Sequence, residues 1–83
     1  MNKFTITYRV TETYKVRDYE KGTGTKTSVS FLDLQDAYNY LDEIMAYNKE
    51  FNDTFTFDYE LCELVWYNET LEDINLLERV VVK

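Results

Sequence analysis

Hydrophobic and polar residues alternate from the start of the chain. Between residues 4 and 16 every second position is apolar, with Glu12 as the exception, and the positions between them are mostly Thr, Lys and Arg. A period of two built from β-branched and aromatic residues is typical of a half-buried strand. The pattern therefore predicts a strand over 4–16, a polar hairpin loop over 18–24, and a second strand over 25–31.

The period then changes to that of a helix. Apolar residues recur at helical spacing at Leu34, Ala37, Tyr38, Leu41, Ile44 and Met45. This spacing predicts an amphipathic helix whose apolar face turns toward a core. Asp33 is the expected N-cap, and the helix should end between residues 49 and 52.

Alternation returns over 54–67, where Glu63 is the one interruption of the apolar face. Cys62, Leu64 and Trp66 make the other face apolar as well, so we expect this end of the strand to be covered on both sides. Residues 68–73 are predicted to form a polar turn and residues 76–82 a last strand. A short helical turn within 70–77 is an alternative.

The predicted order is strand, strand, helix, strand, strand. Such an order indicates a small two-layer ββαββ domain of the α+β class, with one helix packed on an antiparallel sheet of about four strands. A chain of 83 residues accommodates one such domain, so residues 1–83 are treated as a single domain.

The composition excludes most kinds of catalytic site and metal site. The chain has no histidine and a single cysteine, Cys62, which excludes an internal disulfide and a cysteine-rich zinc site. Gly22 and Gly24 lie between two predicted strands. A phosphate-binding loop runs from a strand into a helix, so these two glycines are not expected to form one. We expect no enzyme activity, cofactor or metal. With no signal peptide and no long apolar run, we expect a cytoplasmic protein.

Charge is the most informative feature that remains. The formal net charge is −7, yet residues 1–30 carry six basic and three acidic groups, whereas residues 31–83 carry three basic and thirteen acidic groups. A chain so acidic would be repelled by nucleic acid and by anionic membranes, so its expected partner is a basic protein surface. The candidate partner-binding residues are Asp36, Asp42, Glu43, Glu50, Asp58, Glu60, Glu69, Glu72, Asp73, Tyr40 and Tyr47.

The chain resembles the small acidic inhibitors of phages and mobile elements, such as anti-CRISPR proteins and uracil-DNA glycosylase inhibitors. The resemblance lies in its small size, in these acidic positions and in the absence of catalytic residues. Those inhibitors share no single fold, so no residue roles carry over. The resemblance implies a non-catalytic inhibitor that occupies the basic nucleic-acid-binding groove of a protein in a bacterial cell.

The alternative is a structural or assembly module. In that hypothesis the positive first hairpin of one copy meets the negative helix face of another, which gives a homodimer or a larger assembly. A mass that rises with concentration at low salt, without any other protein, distinguishes this alternative from an inhibitor.

Overall fold

A computed structural model describes residues 3–18 and 24–83. Its elements are the strands β1 (Phe4–Val16) and β2 (Thr25–Phe31), the helix α1 (Leu34–Asn48), a 3-10 turn (Lys49–Phe51), and the strands β3 (Phe55–Tyr67) and β4 (Thr70–Val82). The strands form one antiparallel sheet in the order β2-β1-β3-β4, with the helix on one face. The predicted ββαββ fold is confirmed. Of the predicted hairpin loop, residues 19–23 lie outside the described residues.

The helix begins where the sequence predicts. Asp33 has extended backbone angles, and its carboxylate accepts hydrogen bonds from the backbone N–H groups of Gln35 (2.8 Å) and Asp36 (3.2 Å). Two of the N–H groups that a helix start leaves without partners are thereby satisfied. The cap fixes the point at which the chain leaves β2 and crosses the sheet.

The core lies between the helix and the two central strands. Ala37 and Leu41 of α1 pack against side chains of β1 and β3, and the buried apolar cluster consists of Val10, Ala37, Leu41, Phe57, Tyr59 and Leu61. Direct pairing of Val10 with Leu61 places the apolar faces of the two strands side by side. The predicted helix face is the one that is buried.

The last strand is longer than predicted. It starts at Thr70, so the helical turn considered for 70–77 is wrong, and the turn before it has only two residues, Asn68 and Glu69. Both have positive φ, at 48° and 71°, as in the tight turns that suit the twist of a β-hairpin. Glu72 and Asp73 therefore belong to β4 and not to a polar loop.

The helix covers only part of the sheet. Fifteen residues of helix reach about 22 Å, whereas thirteen residues of strand reach about 43 Å. At the uncovered end Phe4 is 69% exposed and Ile6 is 46% exposed. Among residues 3–18 and 24–83, the one helix lies on one side of the sheet and no second layer covers the other side. Cys62 and Leu64 are nevertheless buried on that other side, at 7% and 3% exposure, so the expectation that this end is covered on both sides holds for these two side chains and not for a second layer.

Candidate functional site

The outer surface of α1 and of the 3-10 turn is acidic. Asp36, Asp42, Glu43 and Glu50, which we call the acidic helix face, are all exposed, because the buried positions Ala37, Leu41 and Asn48 lie on the opposite side of the helix. Within residues 3–18 and 24–83 none of these four carboxylates lies within 4.0 Å of a cation. The acidic helix face therefore offers four carboxylates that can accept hydrogen bonds from a basic partner.

The two tyrosines predicted beside this face have different surroundings. Tyr40 is half-buried, and its ring packs on Phe31 with the centroids 5.3 Å apart, so it closes the edge of the core. Tyr47 is 71% exposed and lies near Phe51, at a centroid distance of 6.1 Å. Of the two, Tyr47 is the more accessible to a partner.

Tyr47 forms one wall of an aromatic cleft that sequence reasoning missed. The cleft has a volume of about 310 Å³ and is lined by Glu12, Tyr14, Tyr47, Asn48, Phe51, Phe55 and Phe57. Its aromatic rings come from four different elements. The alternating pattern of each strand predicts which rings face the core, but it does not show that rings from separate elements enclose a cleft. Among the residues that the structure describes, the acidic Glu12 is the only charged one in the lining.

A polar cluster holds Glu12 in place. The amide nitrogen of Asn48, a buried residue, donates to the Glu12 carboxylate at 2.6 Å and to the Tyr59 hydroxyl oxygen at 3.1 Å. Burial raises the pKa of Tyr59, the hydrogen bond from Asn48 partly opposes that shift, and the nearby Glu12 adds to it. This cluster explains why a carboxylate interrupts the apolar face of β1.

The connection that follows the helix is fixed to the end of β1. The Arg17 guanidinium donates to the backbone carbonyls of Asn52 and Phe55, and its backbone N–H donates to the Thr54 carbonyl at 2.8 Å. These bonds join β1 to the segment that carries Phe51 and Phe55. The walls of the cleft are therefore tied together by the backbone as well as by packing.

The remaining predicted acids lie elsewhere. Asp58 and Glu60 are on the sheet face opposite the helix, where Arg79 donates to both Asp58 carboxylate oxygens, at 3.2 and 2.8 Å. That hydrogen bond raises the pKa of Arg79. Glu69, Glu72 and Asp73 are exposed at the far end of the sheet, along the β3–β4 turn and β4. The structure thus divides the nine predicted acids into three groups and does not bring them onto one surface.

The sheet face opposite the helix, which we call the open face, is predominantly basic. Its strand positions carry Arg9, Lys15, Lys26 and Arg79 against the two carboxylates of Asp58 and Glu60. A depression of about 690 Å³ lies there, and the charged residues in its lining are Lys15, Arg17, Arg79 and Lys83 together with Asp18 and Asp58. The two sides of this thin molecule therefore carry charges of opposite sign.

Cys62 is buried on the open face, 7% exposed. Burial raises the pKa of the thiol, the Glu60 carboxylate adds to the shift, and Arg9 opposes it. A raised pKa leaves little thiolate near neutral pH, which is the opposite of what a nucleophile needs. Nothing in its surroundings therefore favours a reactive role for Cys62.

No set of three potential metal-ligating side chains comes together among the described residues. Over the same ranges, no helix is long and apolar enough to cross a membrane. Comparison with family models, curated proteins and solved structures finds no match to this chain.

Proposed function

We propose that this protein is a non-catalytic binding protein whose acidic helix face docks on a basic protein surface. Two features carry the proposal: among the described residues the four exposed carboxylates of the acidic helix face have no cation within 4.0 Å, and the same helix contributes Tyr47 and Asn48 to an aromatic cleft that contains a carboxylate. An acidic surface alone serves solubility. An adjoining cleft gives the surface a place to hold one basic side chain.

The cleft suits a lysine or arginine of the partner. A cation over an aromatic face gains about 0.5–2 kcal/mol, the larger value where water is excluded. Tyr14, Tyr47 and Phe55 supply ring surface, and Glu12 supplies the countercharge. The acidic helix face would surround that anchored cation with further negative charge.

The nucleic-acid-binding groove of another protein meets these requirements. Such grooves present lysines and arginines spaced to neutralise phosphates, and a helix that carries carboxylates can occupy the same positions. Binding there would exclude nucleic acid, so the protein would act as an inhibitor of the phage or mobile-element type. The basic open face would then point away from the target.

A comparison of three immobilised proteins in bacterial lysate tests this proposal. They are the wild type, the helix-face variant Asp36→Asn/Glu43→Gln/Glu50→Gln, and the control variant Glu69→Gln/Glu72→Gln/Asp73→Asn. The two variants lose the same amount of charge, one from the acidic helix face and the other from the β3–β4 turn and β4. Retained proteins are eluted with a salt step and quantified by mass spectrometry.

We expect the wild type and the control variant to retain the same nucleic-acid-binding protein, and the helix-face variant to lose at least nine tenths of it. Single-stranded DNA or RNA added to the lysate should release this protein. Equal losses from both variants would mean that bulk charge and not the acidic helix face determines binding, and would contradict the proposal.

The alternative function, an assembly module, is favoured by one observation: the open face is basic while the helix face is acidic. In a head-to-tail contact each copy leaves one of its two faces free, so further copies can add and oligomers larger than a dimer would form at low salt. Substitution of Asp36, Glu43 and Glu50 by lysine should dissociate these oligomers into monomers. Assemblies that persist in this variant would exclude the alternative.

A further inference from the structure

The aromatic cleft is bounded by rings that lie in different planes. The ring planes of Tyr14 and Phe55 meet at 85°, with their centroids 5.6 Å apart. The ring planes of Tyr47 and Phe51, which line the same cleft, meet at 47°, with their centroids 6.1 Å apart. Rings tilted in this way border a rounded space and not a flat slot.

This shape favours a rounded cation over a planar one. A guanidinium group is flat and stacks on an aromatic face, so it fits best between parallel rings. A parallel pair does occur, Phe57 and Tyr59 at 10°, but these two rings stack on each other and Tyr59 does not line the cleft. An ammonium group is compact in all directions, so it can contact tilted rings on several sides at once.

The cleft also supplies a negative charge. Glu12 lines it and is half-buried. Within residues 3–18 and 24–83 its carboxylate accepts a hydrogen bond from Asn48 alone and has no cation within 4.0 Å. A carboxylate has about four acceptor positions, so most of those of Glu12 remain open to a bound cation.

We propose that the aromatic cleft binds a quaternary ammonium group. Five aromatic rings of the described residues line the cleft together with one carboxylate. A quaternary ammonium group is positively charged but has no N–H donors, so aromatic rings can surround it without leaving a donor unsatisfied. A lysine ammonium has three donors and is strongly hydrated, so it loses more when it enters such a cleft.

This inference goes beyond the proposed function, which requires only that a basic side chain of the partner reach the cleft. The cleft volume, about 310 Å³, lies at the lower end of the range of about 300–1,000 Å³ for small-molecule sites. That volume suits a group the size of a side chain or a small metabolite. Free choline and a trimethylated lysine of a protein carry the same terminal group, so the test must distinguish these two sources.

An NMR titration of the isotope-labelled protein with tetramethylammonium chloride at constant ionic strength tests the proposal. The comparison ligands are guanidinium chloride, which is planar, and tert-butanol, which has a similar shape but no charge. We expect backbone amide shifts around Glu12, Tyr47 and Phe55, and a dissociation constant in the millimolar range because so small a ligand makes few contacts. The dissociation constants of both comparison ligands should be at least about threefold higher. Equal binding of guanidinium or of tert-butanol would overturn the proposal.

Substitutions of Tyr47 separate cation recognition from apolar contact. Tyr47 is 71% exposed, so its replacement should leave the fold intact, which the amide spectra check. Tyr47→Phe keeps the ring and should bind tetramethylammonium within about twofold of the wild type, whereas Tyr47→Leu keeps an apolar side chain without a ring and should bind at least about threefold more weakly. Wild-type affinity in Tyr47→Leu would contradict the proposed site.

The countercharge is tested in the same titration. Glu12→Gln can still accept the hydrogen bond from Asn48 but has lost the charge, so it should bind tetramethylammonium at least about threefold more weakly. The matched control is Glu72→Gln, which loses the same charge from an exposed position on β4 and should bind as the wild type does. Equal losses in the two variants would mean that net charge and not the cleft attracts the cation.

Titrations with choline and with Nα-acetyl-Nε-trimethyllysine amide identify the source of the group. Binding of either one at the cleft supports the proposal, and the tighter of the two identifies a metabolite or a modified protein as the ligand. If neither shifts the amides around Glu12 and Tyr47, the proposal fails. Such a failure would leave the proposed function in place if the lysate experiment still retained its nucleic-acid-binding protein through the acidic helix face.

Discussion

Single residues that interrupt the sequence pattern are the most instructive positions in this protein. Glu12 breaks the apolar face of β1, and Glu63 breaks that of β3. Each accepts a hydrogen bond from an amide side chain, Glu12 from Asn48 at 2.6 Å and Glu63 from Asn75 at 3.1 Å. A carboxylate on the helix side of the sheet is tolerated in each case because an amide donor reaches it.

Replacement of Asn48 by alanine tests how much the Glu12 cluster contributes. The Asn48→Ala variant leaves the Glu12 carboxylate and the Tyr59 hydroxyl without their donor, and removing a donor from a buried polar group costs about 1–3 kcal/mol. We expect the free energy of unfolding, measured by urea denaturation, to fall by that amount.

The control is Gln35→Ala, which removes a hydrogen bond to Asn39 on the exposed side of the same helix. That change should alter the free energy of unfolding by less than about 0.5 kcal/mol. Similar small effects of the two substitutions would show that the Glu12 cluster contributes little.

At the scale of elements, the strands and the helix were predictable wherever one period continued through most of the element. β1, apart from Glu12, and α1 have such patterns, and Asp33 marks the helix start. The first half of β4 does not. Its open-face residues Leu71, Ile74, Leu76, Arg79 and Val81 are spaced by three, two, three and two. Each bulge inserts one residue, which breaks the period of two and imitates a helical spacing.

The β3–β4 turn offers a test of the element boundaries. Glu69 has φ of 71°, a conformation that costs a residue with a side chain more than it costs glycine, and tight hairpin turns prefer Asn-Gly. We expect Glu69→Gly to raise the free energy of unfolding by about 0.5–1 kcal/mol, as measured by urea denaturation.

The matched control is Glu72→Gly, which removes the same charge within β4. Glycine inside a strand weakens it by about 0.5–1 kcal/mol, so this variant should lose stability. If Glu69→Gly were less stable than the wild type, the two-residue turn would be wrong.

At the scale of the molecule, the site was only partly predictable. The acidic residues of the helix could be recognised from their spacing, and the structure confirms that they are exposed. The aromatic cleft could not be recognised, because Tyr14, Tyr47, Phe51 and Phe55 are separated in sequence and meet only through the register of β1 with β3 and the course of the 3-10 turn.

Binding of a basic ligand to the acidic helix face can be tested by an NMR titration of the isotope-labelled protein with hexa-arginine at 0.05 M and 0.5 M salt. We expect the largest backbone amide shifts in Leu34–Asn48, in Lys49–Phe51 and around Glu12, and we expect them to weaken strongly at high salt. Shifts spread evenly over all acidic residues, or largest between Glu69 and Asp73, would contradict it.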